Sequence, residues 1–328
     1  MIFSEILEQN IYRRYAAVHS TVILMEKAVA HITRKEMKDI LRIQSAVLKS
    51  LRDFMWKEGI VELMPVMLSP FTDPLNHPVY DSSVEYEGQR LQLTKSMILH
   101  KQLSMMRDDL EGIYIVSPNI RLEIGTTGKS GRHLLEFSQV DIELRTDCKG
   151  FLRFLERLYI EIFGFAMAEC FESFEKLGRD ITMPKAPFKV YETSELKTQY
   201  GADWEHEISI REKQPFWVMD HYREFYDKED PVSRKHINYD LIYPEGFGEG
   251  LSGAERETDY NIIVRKMAER KTEPASYKAY LNIARKGALR PTAGGGFGVE
   301  RLVRYLTGKR EIREVCMFPR VPGERIVI

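Results

Sequence analysis

The sequence predicts an α+β fold, an antiparallel sheet with helices packed around it, and three stretches carry that prediction. The first is Asn119–Leu144, in which two alternating runs bracket the segment GTTGKSGR. Ile120, Leu122 and Ile124 alternate with Arg121 and Glu123, and Phe137, Gln139, Asp141 and Glu143 alternate with Ser138, Val140, Ile142 and Leu144. Period two sends successive side chains to opposite faces of a pleated strand, and the turn-rich middle reverses the chain, so this is an antiparallel hairpin with a long tip. The second stretch is 150–177, whose apolar residues recur at helical spacing. The third is the glycine run Gly294, Gly295, Gly296 and Gly298, entering a helix with Val299, Leu302, Val303 and Leu306 on one side.

The remaining elements follow in order. Residues 1–58 are predicted helical: Ile40, Val47, Leu51 and Phe54 share a face, Gly59 stops the helix, and Tyr12, Tyr15 and His19 line an earlier helical segment. IVELMPVMLSP is β-rich, and Pro65 assigns it to a sheet edge or an interface, because proline cannot donate to a ladder. Phe71–Glu87 is a long loop, of the kind that serves as a lid or simply covers the surface. Residues 90–95 form a short strand and SMILHKQLSMMRDDL a helix containing Lys101, while GIYIVSP is a strand leading into the hairpin. Residues 178–235 are the least legible, with a short helix near SELKTQYG and a buried strand in QPFWVMDHY. HINYDLIYPEGFGEGLSGAERE mixes a strand, a Gly-rich turn and carboxylates, of which Asp240 and Glu249 could meet a hard cation through oxygen. YNIIVRKMAER and SYKAYLNIARKG are helices.

Composition bounds the function. The chain has 328 residues, 43% hydrophobic, with 48 basic and 49 acidic side chains and a net charge of −1, so no global positive field draws it to nucleic acid. Cys148, Cys170 and Cys316 are far apart, which excludes a CxxC zinc site or a disulfide framework and suits a reducing cytosol. No apolar run is long enough to span a bilayer, and MIFSEILEQN lacks the basic-then-apolar pattern of a secretory leader; the expected location is the cytoplasm. On residues alone, the charged face of the hairpin fits ligand capture and solvated cross-strand pairing equally well. The glycine run lacks the G-K-[ST] of a phosphate loop and the position of a dinucleotide fingerprint.

Three pieces in one order carry a resemblance. Glu62–Pro65, the hairpin pattern R-x-E…R-H-x-x-E-F-x-Q-x-D-x-E over Arg121–Glu143, and G-x-G-x-E-R over Gly296–Arg301 resemble motifs 1, 2 and 3 of class II aminoacyl-tRNA synthetases. GFGEGLSGAERE (Gly246–Glu257) and IREVCMFPR (Ile312–Arg320) are similar to segments of the aspartyl/asparaginyl branch, and the likeness runs from Phe54 to the C-terminus. It implies a six-stranded antiparallel sheet flanked by helices, dimerisation through the strand holding Pro65, and activation of an amino acid with ATP and Mg2+. It divides the chain into an N-terminal helical extension, 1–58, and a catalytic domain, 59–328.

Carried over by motif, the resemblance puts Arg121 on the α-phosphate and the substrate carboxylate, and Arg301 along the adenine and toward the γ-phosphate, with Phe137 on the opposite face. Arg132 and His133 take the outer phosphates and Glu123 the adenine edge; Asp240, Glu249 and Ser252 match metal positions; Asp73, Ser96, Lys101, Gln139, Asp141 and Arg256 line the amino-acid site. Within that pattern Ile98 replaces a glutamine and Thr292–Ala293 replace a P-H pair, while Lys101 and Arg256 point to aspartate. Residues 1–58 are too few, and of the wrong period, for the family's anticodon-binding barrel. The sum resembles the archaeal-type asparagine synthetases related to asparaginyl-tRNA synthetase, which implies aspartate, ammonia and ATP as substrates, no membrane partner and, with the balanced charge, no tRNA. A truncated paralogue loading a tRNA or a protein lysine, and a non-catalytic regulatory paralogue, are the competing readings.

Overall fold

The computed structural model describes residues 22–328, so the helical reading of residues 1–21, with Tyr12, Tyr15 and His19, lies outside the described residues. Helix α1 covers residues 22–33 and α2 is Met37–Lys57. The expected apolar stripe of α2 (Ile40, Val47, Leu51 and Phe54) is buried, and Gly59 ends the helix at φ +72°, a conformation glycine adopts without a Cβ penalty. This stripe joins the main core with the sheet and the long helix of residues 148–169, so α2, the part of the expected 1–58 extension from Met37 on, packs into the same core.

Eight strands make the principal sheet, in the order β1-β5-β6-β11-β10-β9-β8-β7. The middle six are antiparallel throughout: β5 (Gly112–Ile120), β6 (Glu136–Leu144), β11 (Ala293–Gly298), β10 (Gly248–Glu255), β9 (Asn238–Tyr243) and β8 (Phe216–Met219). Short parallel strands, β1 (Val61–Glu62) and β7 (Val190–Glu192), close the two edges. A second sheet orders β2 (Leu68–Ser69), β4 (Gln89–Leu93) and β3 (Ser83–Tyr86). Helix α4 (Cys148–Glu169), capped by the Asp147 carboxylate on the Gly150 N–H, packs across one face of the large sheet, its Phe154 ring edge-on to Phe54 at 5.3 Å. No helix among the described residues is long and apolar enough to cross a membrane.

Several elements depart from expectation, each for a local reason. The hairpin arms are β5 and β6, paired from Gly112–Leu144 to Ile120–Glu136, so GIYIVSP is itself the first arm. The alternating run at 121–124 leaves the hairpin and pairs instead with the 71–82 loop, through Tyr80 N–H to the Leu122 carbonyl and a bridge between Val79 and Glu123. Pro65 lies in neither β1 nor β2; the strand expected through it breaks into two short pieces around the missing N–H. The 71–87 segment, expected to be all loop, ends in β3. The predicted 150–177 helix is interrupted at Cys170, where α5 (Phe171–Lys176) begins. The Gly-rich turn expected in the 236–257 stretch is the turn at 244–247, with Gly246 at φ +78°, and strand β10 follows it directly.

The largest departure is the glycine run. Expected as a loop entering a helix, it is β11, a central strand, with α10 (Val299–Thr307) starting directly behind it. Glycine has no intrinsic liking for strands, but here side chains from β6 fill the place of its missing ones. A Cβ on Gly294 would lie 1.9 Å from Glu143 Oε2, and one on Gly296 would lie 2.1 Å from Gln139 Nε2.

Gly294→Ala is therefore expected to destabilise the protein by about 1–3 kcal/mol, as overpacking of a buried site does. Gly164→Ala in α4, where the nearest atom to a Cβ is Met183 Cε at 3.8 Å, is expected to be neutral or mildly stabilising. Paired denaturant titrations measure both.

Candidate active site

The open face of the large sheet holds a cavity of about 320 Å³. Its floor is β6, β10 and β11; its walls come from the 71–82 loop, helix α3 (Ile98–Ser104), the 121–135 connection and the segment between β8 and β9. Of the residues singled out in the sequence, Asp73, Ser96, Lys101, Arg121, Glu123, Arg132, His133, Phe137, Gln139, Asp141, Glu249, Ser252, Arg256 and Arg301 all line it, whereas Asp240 does not. They come from seven separate segments, and the sheet order is what unites them: β6, β11 and β10 are neighbours in space though about 150 positions separate β6 from β11.

One half of the cavity is dominated by guanidinium groups. Arg121 donates from Nε to the Lys95 carbonyl at 3.0 Å, and its guanidinium lies 5.1 Å from the centre of the Phe137 ring. Arg132 pairs with Glu205 at 2.9 Å, and Arg301 with Glu249 at 3.3 Å. Burial would raise the Glu249 carboxyl, but Arg301, Arg223, Arg132 and Arg121 together hold it down at about 2. Burial and then Arg301 push the His133 imidazole below its ordinary value, so it stands uncharged near neutral pH, with Nδ1 at 2.7 Å from Ser130 Oγ. Glu123 meets His77 of the 71–82 loop at 2.9 Å. Such a concentration of fixed positive charge in a cleft suits a polyanion.

The expected metal set does not form. Asp240 and Ser252 are register partners on β9 and β10, but the Arg223 guanidinium bridges them, donating to Asp240 Oδ2 and to Ser252 Oγ. A side-chain cation thus occupies the space between the proposed ligands, and a divalent ion there would face its charge at contact. Among the described residues no three His, Cys, Asp or Glu side chains are disposed to hold a metal ion. The residues present do not fit a protein-held magnesium, and no step is assigned to one.

The other half of the cavity contains two buried ion pairs. Lys101 is 1% exposed and its ammonium donates to Asp141 Oδ1 (3.0 Å), the Gly295 carbonyl (3.0 Å) and the Ile142 carbonyl (3.2 Å). An ammonium has three hydrogens, and all are taken. The expectation that Lys101 offers a donor to a bound carboxylate is therefore corrected: in this arrangement it holds Asp141 and two strand carbonyls. Arg256, 4% exposed, grips Glu143 with Nε (2.9 Å) and Nη2 (3.0 Å); Thr292 donates to the same carboxylate at 2.7 Å. Nη1 of Arg256 stands 3.7 Å from Asp227 and makes no close hydrogen bond among the described residues, so it is the donor left for a ligand.

Sequence reasoning missed Arg223, Glu224, Tyr226 and Asp227, all from the segment between β8 and β9. That segment has neither strand nor helix periodicity; the only signal in it is the density of charge and aromatic rings in HYREFYDKED. Glu300 was also missed. Its carboxylate accepts the Ser138 N–H at 2.9 and 3.0 Å, and burial raises it to about 7.

Comparison with known proteins sets this geometry in a family. The family model for class II tRNA synthetases (D, K and N) matches residues 20–322. An asparagine–tRNA ligase of Pyrococcus abyssi is 27% identical over 325 residues, 93% of this chain and 73% of that protein. An aspartate–tRNA(Asp/Asn) ligase of Methanopyrus kandleri is 30% identical over 320 residues, 90% of this chain and 70% of that protein. The crystal structure of asparaginyl-tRNA synthetase from Pyrococcus horikoshii complexed with asparaginyl-adenylate superposes with a TM-score of 0.83 at 26% identity, over 92% of this chain and 73% of that one.

The buried pairs make a direct prediction. Lys101→Met leaves Asp141 charged, without a cation and with only the Gln139 amide at 3.4 Å, and should cost about 3–5 kcal/mol in a denaturant titration. The double variant Lys101→Met with Asp141→Leu should recover most of that loss; an equal loss in both would show that Lys101 is not there to balance Asp141.

Proposed function

The chain belongs to the class II tRNA synthetases of the D, K and N group, and from that premise we propose that it is an ATP-dependent ligase which activates the side-chain carboxyl of aspartate as a β-aspartyl-adenylate and passes it to ammonia, giving asparagine, AMP and pyrophosphate. One observation carries the activation step: Arg121, Arg132, Arg223 and Arg301 converge on one cleft around Glu249, beside the end of β11 at Gly298. A nucleotide's phosphates would lie among these guanidiniums, with the base between Phe137 and Arg301.

The chemistry follows from charge. A substrate carboxylate oxygen attacks the α-phosphorus of ATP, the bond to the pyrophosphate oxygen breaks, and pyrophosphate leaves. The nucleophile is already ionised, so no general base is needed. Negative charge grows on the phosphoryl oxygens, where preorganised arginines act best. Ammonia then attacks the acyl carbon, the acyl–oxygen bond breaks, AMP departs, and the proton lost from the attacking nitrogen passes to solvent. Aspartate is supported by Arg256, whose free Nη1 suits a side-chain carboxylate or the adenylate's leaving end. In this reading residues 59–328 form the catalytic unit, with α2 of the 1–58 extension seated in its core. A homodimer through the β1 edge is part of the proposal, supported by Trp56 and Met64, which are 87% and 85% exposed beside that edge.

A second reading is favoured by the relatives: the matched proteins are named tRNA ligases, so a tRNA is the competing acceptor. The net charge of −1 does not decide against it, because local patches rather than the total bind phosphates.

The deciding assay supplies ATP, magnesium, aspartate and ammonium without tRNA, and follows AMP, pyrophosphate and asparagine together. Asparagine formed in step with AMP is the expected result. Aspartate-dependent pyrophosphate exchange without asparagine moves the acceptor to tRNA, and silence in all three would sink the enzymatic reading. Arg301→Gln should lower AMP formation by about 10²–10³-fold, the usual loss for one preorganised donor. Since neutral ammonia is the nucleophile, asparagine formation at fixed total ammonium should climb from about pH 7 to about pH 9, and a flat profile would argue against ammonia attack in the slow step.

A further inference from the structure

Beyond Arg256 the cavity ends in carboxylates. Asp73 comes from the 71–82 loop, and Glu224 and Asp227 come from the segment between β8 and β9. Asp73 Oδ1 accepts the Tyr226 hydroxyl and the Leu75 N–H, each at 3.1 Å. Asp227 Oδ2 accepts from Asn238 Nδ2 at 2.9 Å, and its Oδ1 faces Arg256. Glu224 differs from both. It is 8% exposed, it lines the cavity, and its carboxylate has no hydrogen-bond or ion-pair partner among the described residues. Across the same cavity Asp141 Oδ2 is buried and equally without a partner.

A carboxylate buried without a partner is expensive, and proteins do not keep one in a ligand cavity without a reason. Of the cations facing this group, Arg223 is bonded to Asp240 and Ser252 and Arg256 to Glu143, while Arg270, 4.2 Å from the centre of the Tyr222 ring, keeps a buried Nη2 without a partner and makes no ion pair with Glu224 among the described residues. Burial, then the charges of Asp73 and Asp227, lift the Glu224 carboxyl to about 8, as expected where negative charge lacks a counter-ion.

We propose that Asp73, Glu224 and Asp227 form a subsite for a primary ammonium group, with Glu224 as its principal acceptor. The cation is a hydrogen-bonding one and not a metal, because the described residues present no trio of carboxylates close enough to coordinate an ion. Asp227, 3.7 Å from Arg256, ties the subsite to the amino-acid end of the cavity. Two sources share this chemistry: a free ammonium ion waiting for the activated carboxyl, and the ammonium carried by the amino acid itself. The subsite rests on the proposed function only for the choice between them.

The test has a binding arm and a kinetic arm. In the first, melting temperature is measured at fixed ionic strength in ammonium or methylammonium chloride against sodium chloride, for the wild type and Glu224→Gln. A rise specific to the ammonium salts that is lost in Glu224→Gln is expected. No specific rise in the wild type, or one that the variant keeps, overturns the subsite. This arm needs no turnover, so it stands even if no asparagine is ever formed. In the second arm, a rise of about tenfold in KM for ammonium in the variant assigns the acceptor nitrogen, as loss of one charge-assisted hydrogen bond predicts. The same rise in KM for aspartate, in pyrophosphate exchange without ammonium, assigns the amino acid's own nitrogen. Should Glu224→Gln fail to fold, Asp73→Asn carries both arms.

Discussion

Lys101 and Arg256 bring two positive charges into the core of the protein, and the carboxylates of Asp141 and Glu143 meet them there. Desolvating four charges is costly, and the cost is offset only because each group is hydrogen-bonded several times over. The pairs dictate much of what surrounds them. Asp141 and Glu143 point from β6 toward β11, and the volume they fill is the volume in which β11 would otherwise carry side chains. The neighbouring strand must therefore be glycine at 294 and 296. Lys101 in turn docks α3 onto the sheet by holding carbonyls of both β6 and β11.

That constraint also makes the cavity. Glycine at 294 and 296 lets the side chains of Gln139, Asp141 and Glu143 lie over β11, Gln139 and Asp141 as the cavity floor, and the groups around it come from elements that the sheet order collects. Positive charge gathers on one side, around Glu249, and negative charge on the other, around Glu224. The polarity of the cavity is thus set by which strands are neighbours. Arg223 shows how far this goes: from a segment with no regular structure it reaches between β9 and β10 and takes the place in which a metal ion was expected.

Much of the scaffold was legible beforehand. The alternation of 136–144, the helical stripe from Ile40 to Phe54 and the apolar run of α4 are local patterns, and local patterns survive into the fold when one face must be buried. The motif residues of the hairpin and of Gly296–Arg301 do line the cavity. What was misread depended on distant partners. Beyond Arg121 the alternating run up to Ile124 is satisfied by Val79 and Tyr80 and not by the hairpin, and nothing near it in sequence says so. A run of glycines reads as a turn until Gln139, Asp141 and Glu143 are known to fill its missing side chains. The segment from His221 to Asp230 has no period to read, because its groups answer to three distant neighbours, Asn238, Asp240 and Asp73.

By itself, then, the sequence determined the α+β class, the main helices and strand β6, and the set of motif residues, all of which follow from short-range periodicity and from residue types in a fixed order. Only the tertiary structure decided which charges neutralise which. Lys101 is spent on Asp141 and the strand carbonyls, Arg223 on Asp240 and Ser252, and Glu224 is left with no partner among the described residues. The reason is physical: whether a charged group serves a ligand or the fold depends on how many of its hydrogen bonds are already taken, and that is a property of three-dimensional neighbours.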